Sequence, residues 1–330
     1  MRLGRPLDFP ADFGAHPDFR TEWWYATGWL QLPDGSPLGF QVTFFRVRTG
    51  IGENNASAFA PRQIMMAHAA LADPAHGRLR HDERAARAGF GHATYATGET
   101  NVRIGDWRLE QQGADYRTQV RGAEFAYDLT LRPAGPPMLN GEAGFSAKDR
   151  DPKHASYYYS RPQLAVAGTV TLAGKARPVS GQAWLDHEWS SELLAAGSTG
   201  WDWIGINLDD GGALMAFRLR GADGTANWAA ATLRHPDGRQ ETLPASAISF
   251  TPLRHWRSPR TALSYPVEWR ISIGQRSFLL IPLMDDQELD SRRSTGAIYW
   301  EGAVRLSADG REVGRGYLEM TGYGERLRLG

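Results

Sequence analysis

Apolar and polar residues alternate along much of the chain. Phe125, Tyr127, Leu129 and Leu131 interleave with Glu124, Asp128, Thr130 and Arg132, which is the period of a strand with one buried face. The same period runs over Leu164 to Leu172. It returns where Ala213, Met215, Phe217 and Leu219 meet Arg218 and Arg220, and where Val267, Trp269, Ile271 and Ile273 meet Glu268, Arg270 and Ser272. Each segment predicts a strand with one wet face. Turn signals at Pro33-Asp34-Gly35, Asp209 to Gly212, Pro236-Asp237-Gly238 and Ala308-Asp309-Gly310 separate short strands, as in a meandering sandwich or barrel. No sustained helical period competes; the best helical candidate is Ser190 to Ala196, about two turns.

The pattern therefore predicts an all-β, antiparallel protein. At 330 residues the chain exceeds the size at which one core stops growing, so two domains are expected. Pro- and Gly-rich connections fall at Arg132 to Pro137 and around Gly197 to Gly200. A boundary near residue 190 gives units 1–190 and 191–330, each a β-barrel of roughly 8 to 10 strands with room for one small apolar ligand. There is no strict internal repeat.

Composition sharpens this picture. The chain holds 12 Trp, 11 Tyr and 13 Phe, an aromatic-rich interior under a polar surface. Lys plus Arg and Asp plus Glu both number 37, so nothing electrostatic points to nucleic acid or an anionic membrane. The absence of cysteine removes disulfides, thiolate catalysis and Cys-ligated metals. No apolar run is long enough to span a bilayer, and Met1 to Pro10 lacks the apolar stretch of a signal peptide; a processed segment upstream is expected.

Two tracts concentrate chemistry. In Glu22-Trp23-Trp24-Tyr25, a strand puts Glu22 and Trp24 on one face and Trp23 and Tyr25 on the other, which sets a carboxylate beside an indole in a cavity. The plain alternative is a first strand plugging a barrel floor with aromatics. In Trp184-Leu185-Asp186-His187-Glu188-Trp189, a strand presents Trp184, Asp186 and Glu188 on one side and Leu185, His187 and Trp189 on the other. Burying so many titratable groups demands partners or shifted pKa values, whether in a site or in a polar network between domains. A third tract, Trp201-Asp202-Trp203, flanks a carboxyl with two indoles, surroundings that raise its pKa; a turn cap is the alternative. The aromatic runs Ser156 to Ser160, Tyr299 to Gly302 and Gly316 to Tyr323 read mainly as packing, with Tyr158 kept as a ligand contact. A G-x-S-x-G nucleophile elbow, a metalloprotease His spacing and a phosphate loop are all missing, so neither a metal nor a cofactor is expected.

In the order of these motifs the chain resembles the AttH and carotenoid 1,2-hydratase (CrtC-like) family, often labelled lipocalin-like secreted hydrolases. The resemblance is carried by Phe9 to Gly28, Phe40 to Arg46, Met66 to Leu71, Tyr157 to Ser160, Trp184 to Ser191, Gly200 to Gly212, Tyr299 to Val304 and Gly314 to Tyr323, nearly the whole length. It implies two tandem lipocalin-like barrels and a periplasmic or secreted location. It also implies cofactor-free hydration of an isolated carbon-carbon double bond, or guidance of a polyene cyclisation. An acid must then protonate an alkene and aromatic faces must shield the cation. Asp186, Glu188 and Asp202 are the alternatives for the acid, with His187 orienting it or positioning water. By resemblance, His187 and Trp189 are similar to a His and a Trp two residues apart in the hydratases. Glu22, Trp23, Trp24, Tyr25, Tyr158, Trp184, Trp189 and Trp203 are expected to hold an apolar partner, a terpenoid, polyene or lipid. A lipocalin-like carrier without catalysis is the second reading and a secreted hydrolase the third.

Overall fold

The computed structural model describes residues 1–57, 59–195 and 197–326. Among them there are 23 strands, two short 3-10 turns at Ala11–Phe13 and Ala245–Ala247, and no α-helix. The helix expected over Ser190 to Ala196 is not formed. Ser190 ends a strand, residues 191–195 are bends and unstructured connection, and Ala196 lies outside the described residues.

The first sheet comprises β1 (Thr21–Gln31), β2 (Pro37–Arg48), β3 (Gln63–Ala72), β4 (Arg80–Arg87), β5 (Ala93–Tyr95), β6 (Asn101–Ile104), β7 (Trp107–Gln112), β8 (Asp115–Arg121), β9 (Phe125–Arg132), β10 (Met138–Leu139), β11 (Phe145–Ala147), β12 (Ala155–Leu172) and β13 (Lys175–Ser190). The second comprises β14 (Ser198–Leu208), β15 (Ala213–Gly221), β16 (Ala226–Arg234), β17 (Gln240–Leu243), β18 (Ile248–Arg257), β19 (Ser264–Ile273), β20 (Arg276–Pro282), β21 (Glu288–Ser291), β22 (Ala297–Ala308) and β23 (Arg311–Met320). Every pairing is antiparallel. The predicted turns join β1 to β2, β14 to β15, β16 to β17 and β22 to β23, the last with Asp309 and Gly310 both at positive φ, as a tight hairpin requires.

The first sheet runs β4-β3-β2-β1-β13-β12-β9-β8-β7-β6-β5, and its two ends curl until β3 and β4 meet β6, a nearly closed barrel. Its interior is not hollow. Trp24, Phe40, Phe44, Trp107, Tyr116 and Leu185 belong to one continuous buried cluster inside it. The second sheet, β17-β16-β15-β14-β23-β22-β20-β19-β18, stays open, where a second closed barrel was expected. Its edges explain this: β17 has only four residues, and β18 carries Pro252, which has no N–H to donate, beside two register shifts. Proline and bulges suit an edge and blunt further pairing.

The predicted alternation holds in β9 and β19, whose burial alternates along their length. It fails in β15, where nearly every residue is buried. Met215, Phe217 and Leu219 pack toward the first sheet while Leu214 and Ala216 enter the core of the second. The wet face expected there is covered because β15 lies between two layers. Trp29 Nε1 donates to the Gly316 carbonyl at 3.0 Å, and Asn207 Nδ2 donates to the Ala183 carbonyl at 3.0 Å. These bonds pin the two sheets face to face.

Glycine makes this seam thin. A Cβ on Gly39 of β2 would stand 2.7 Å from the Tyr317 hydroxyl and 2.8 Å from the Ala303 Cβ in the second sheet, and one on Gly205 would stand 3.0 Å from the Trp184 ring in the first. Gly39→Ala must push the facing strands of the second sheet aside, and overpacking of this kind costs about 1–3 kcal/mol. A clear fall in the thermal or urea midpoint is expected, and an unchanged midpoint would refute the tight-seam account.

Candidate functional site

The pairing of β1 with β13 sets Trp24 opposite His187 and Tyr25 opposite Asp186. Because side chains alternate, each strand sends its chemistry to two different places. The predicted face assignments of Glu22 to Tyr25 and of Trp184 to Trp189 both hold, but one face turns into the barrel and the other toward the second sheet.

On the barrel side Glu22 is the centre of a charged network. Its Oε1 receives His16 Nδ1 at 2.8 Å and His187 Nε2 at 2.9 Å, and its Oε2 receives Arg46 Nε at 2.7 Å. Burial opposes this charge, but hydrogen bonds from both histidines and the charge of Arg46 hold the carboxyl far below its usual range. Arg46 also donates to the carbonyls of His16 and Phe19, clamping the preceding loop. Burial pushes His187 down to about 4 against the pull of Glu22, so it is a neutral ring, with its Nδ1 3.1 Å from the Tyr159 hydroxyl. Trp24 stacks on His187 and Trp189 stacks on His16. His16, Glu22 and His187 place three ligand atoms within 4.8 Å of one another. The Arg46 guanidinium bound to the same carboxylate works against a cation there. His187 therefore neither orients Asp186 nor reaches Glu188, which stand on the opposite face of its strand.

The other face opens onto a cavity of about 590 Å³ between the two sheets. Glu22 and Arg46 reach its edge, while Trp23, Tyr25, Tyr158, Asp186, Glu188 and Trp203 of the predicted set line it, together with Phe45, Met66, Phe217 and Leu219. Trp24, Trp184, His187, Trp189 and Asp202 do not line it. Asp202 is turned into the second sheet, where Arg218 lies at 2.6 Å, Arg220 at 3.0 Å and the Tyr323 hydroxyl at 2.9 Å. Its flanking indoles do not surround it, because neighbours in a strand point the opposite way. Trp201 and Trp203 face the cavity without it.

Of the two remaining acids, Glu188 is ion-paired to buried Lys148 at 2.9 Å and bonded by Ser156. Lys148 in turn lies 4.1 Å from the centre of the Phe217 ring. Asp186 has no cationic partner among the described residues. It accepts from Trp184 Nε1 at 2.6 Å, Ser160 Oγ at 2.5 Å and the Tyr158 hydroxyl at 2.7 Å. Burial dominates these three donors and raises the carboxyl to about 7.

Two further carboxyls escaped the sequence reading. Glu301 and Glu319 face each other across β22 and β23 and both line the cavity. Burial, then the charge of Glu319, pushes Glu301 well above its usual range; burial raises Glu319 to about 7 against a Trp201 hydrogen bond. Their tracts stood out as aromatic runs, but nothing local shows that strands eighteen residues apart in sequence pair at these positions. His68 and Tyr299, hydrogen-bonded to each other on the cavity wall, were likewise visible only as parts of longer motifs.

The fold and site thus define a β protein that encloses an apolar space walled by aromatic rings and by buried carboxyl groups, three of which burial pushes toward the neutral form. The chain belongs to the AttH-like family, whose model matches residues 1–323. It is 51% identical to a Nitrosomonas europaea protein provisionally designated AttH, over 98% of each chain, with a TM-score of 0.91. Kievitone hydratase from Nectria haematococca shares the fold at 16% identity, covering 97% of this chain and 94% of its own, with a TM-score of 0.72. CghA, solved with Sch210972, does so at 15% identity over 94% and 89%, with a TM-score of 0.57. Comparison with curated proteins gives no match.

The raised Asp186 carboxyl has a consequence for stability. It titrates at about 7 in the fold against an ordinary value of 3.8, so its contribution is fully present below about pH 4 and is lost as the pH rises through 7. Asp186→Asn removes that loss. Its stability relative to wild type should climb across this window by up to about 1.4 kcal/mol per pH unit, read by urea unfolding at several pH values. A difference that does not vary with pH would mean that Asp186 is not protonated in the fold.

Proposed function

We propose that this protein is a cofactor-free hydratase or cyclase-type enzyme that protonates a carbon-carbon double bond of an isoprenoid, lipid or polyene held between its sheets. The observation that carries the reading is Asp186: a buried carboxyl titrating near 7, at the wall of a largely apolar cavity. A cavity of about 590 Å³ is the size of small-molecule sites, which fall around 300–1,000 Å³. The name of the fold neighbour kievitone hydratase accords with this class of chemistry. The same reading divides the chain into lipocalin-like units at 1–190 and 191–330.

Asp186 supplies the acid. Its O–H bond breaks, the alkene π pair takes the proton at one carbon, and a tertiary cation forms at the other. The three donors of Trp184, Ser160 and Tyr158 then face a full carboxylate. Because they are in place before the reaction, they stabilise the charge as it develops without reorganisation. Trp23, Trp203, Phe45 and Phe217 line the space where the cation stands, and ring faces contribute about 0.5–2 kcal/mol each when desolvated. Addition of water and loss of its proton completes a hydration, whereas attack by a second double bond forms a ring and moves the cation to a new carbon, and return of a proton from the neighbouring C–H to the Asp186 carboxylate completes a cyclisation. Glu188 stays ion-paired to Lys148 and Asp202 lies outside the cavity, so neither serves as the acid.

Incubation with acyclic terpenoids in oxygen-18 water should yield labelled tertiary alcohol. Asp186→Asn should lower turnover by a factor on the order of 10² or more with ligand affinity nearly intact. Turnover should also fall as the pH rises through 7, where Asp186 ionises. Tight binding across a broad panel with neither labelled alcohol nor cyclised product would identify a carrier, and full activity in Asp186→Asn would move the acid to Glu301 or Glu319.

A further inference from the structure

On another part of the cavity wall, β3, β4 and the turn before β22 share a chain of hydrogen bonds that the acid step leaves unused. The Tyr299 hydroxyl meets His68 Nδ1, and His68 Nε2 lies 2.9 Å from Ser294 Oγ. The Ser294 hydroxyl donates to Glu83, which also takes the Ser294 backbone N–H at 3.0 Å. Glu83 pairs with Arg293 at 3.2 Å, whose side chain is 82% exposed. His68 and Glu83 are cross-strand partners on β3 and β4, so the chain leads from a buried tyrosine to the molecular surface.

The direction of each bond follows from its outer end. A carboxylate only accepts, so the Ser294 hydroxyl donates to Glu83. The serine oxygen then accepts from His68 Nε2–H, and the bare Nδ1 accepts from Tyr299 O–H. The rival acceptor for Ser294, the Ser291 carbonyl, stands farther off at 3.3 Å. Burial holds His68 down at about 3, so the ring is neutral and offers one N–H and one lone pair, as a relay needs. Burial likewise raises the Tyr299 phenol well above its usual range, with Glu301 adding to it, and keeps it protonated.

We infer that Tyr299, His68, Ser294 and Glu83 form a proton wire between the cavity and the surface, which carries away the proton released when water adds to the substrate cation. This rests on the acid-catalysed reading above. The oxonium O–H bond of the nascent alcohol breaks and its proton goes to the Tyr299 oxygen. The phenolic proton passes to His68 Nδ1, the Nε2 proton to Ser294 Oγ, and the serine proton to Glu83. One proton enters, one ends on a now neutral Glu83, and no charge stays along the way. The same steps in reverse return a proton to the cavity, which resets every bond and makes recharging of the acid possible. Tyr299 touches the reacting oxygen in this scheme; His68 and Ser294 act through it.

Nitrogen-15 NMR of the histidine side chains tests the polarity directly. His68 should be the neutral Nε2–H tautomer with a bare Nδ1, and should stay neutral at pH 5. Kinetically, His68→Ala should lose kcat by a factor on the order of 10² while KM moves less than twofold, and added imidazole should restore much of it. Tyr299→Phe should lose kcat similarly without imidazole rescue. An Nδ1–H tautomer in a protein that does turn over alkenes would overturn the wire alone, as would a folded His68→Ala variant with unchanged kcat or with no response to imidazole. Wild-type protein that gives an unlabelled cyclised product would overturn the wire alone, and wild-type protein that gives neither labelled alcohol nor cyclised product from any alkene would overturn the acid-catalysis reading and the wire's role with it.

Discussion

The register between β1 and β13 is the constraint on which the rest depends. Thr21 lies opposite Ser190 and Gln31 opposite Ser180, so the pairing joins the first strand of the sheet to its last long one and draws the barrel together. The same two strands form a wall shared by the barrel interior and the cavity. Because side chains alternate, a slip of one residue would exchange the two faces. Glu22 and His187 would then stand among the cavity aromatics, and Asp186 and Glu188 would be buried in the barrel without the partners that now serve them.

The two faces handle buried charge in opposite ways. On the barrel side each acid has a cation or an imidazole within hydrogen-bond reach: Asp12 has Arg5 and His16, and Glu22 has His16, His187 and Arg46. Complete pairing of this kind fixes geometry and leaves no group free to react. On the cavity side Lys148 serves Glu188, while Asp186, Glu301 and Glu319 have no salt bridge among the described residues. Those three are pushed toward the neutral form. Burying carboxyls in an apolar wall without cationic partners is a local cost, and that pattern makes the cavity the candidate site.

How much of this was legible in the sequence follows from the range of the interactions. Alternation within Glu22 to Tyr25 and Trp184 to Trp189 is local, and the faces it assigns are those the strands adopt. Asp202 misled because two neighbouring indoles look like a pocket in one dimension, whereas in a strand they lie on the far side of the backbone from it. Its true partners, Arg218, Arg220 and Tyr323, come from a neighbouring strand and from near the chain's end. His187 misled in the same way, being adjacent to Asp186 in sequence and opposed to it in space. Glu301, Glu319 and His68 became site residues only through pairings between distant segments, and β15 lost its wet face only because a second layer covers it. Periodicity reports the strand and its two faces; it carries no information on what packs against each of them.

The same limit explains why the apolar cavity is not where a single barrel would put it. A nearly closed sheet of this size has an interior wide enough for a small ligand, but here Trp24, Phe44, Trp107 and Tyr116 fill it. The apolar space forms instead where the outer face of β1, β2, β3 and β13 meets β14, β15, β22 and β23. An interface between layers can do what one barrel interior cannot: it draws residues from both sheets onto one cavity, with Asp186 from the first and Glu301, Glu319 and Tyr299 from the second. Leaving the second sheet open is consistent with that task, since β14, β15, β22 and β23 must lie flat against the barrel wall. The candidate site then belongs to the junction of the two sheets, and the glycines that thin the seam at Gly39 and Gly205 help set how closely its two walls approach.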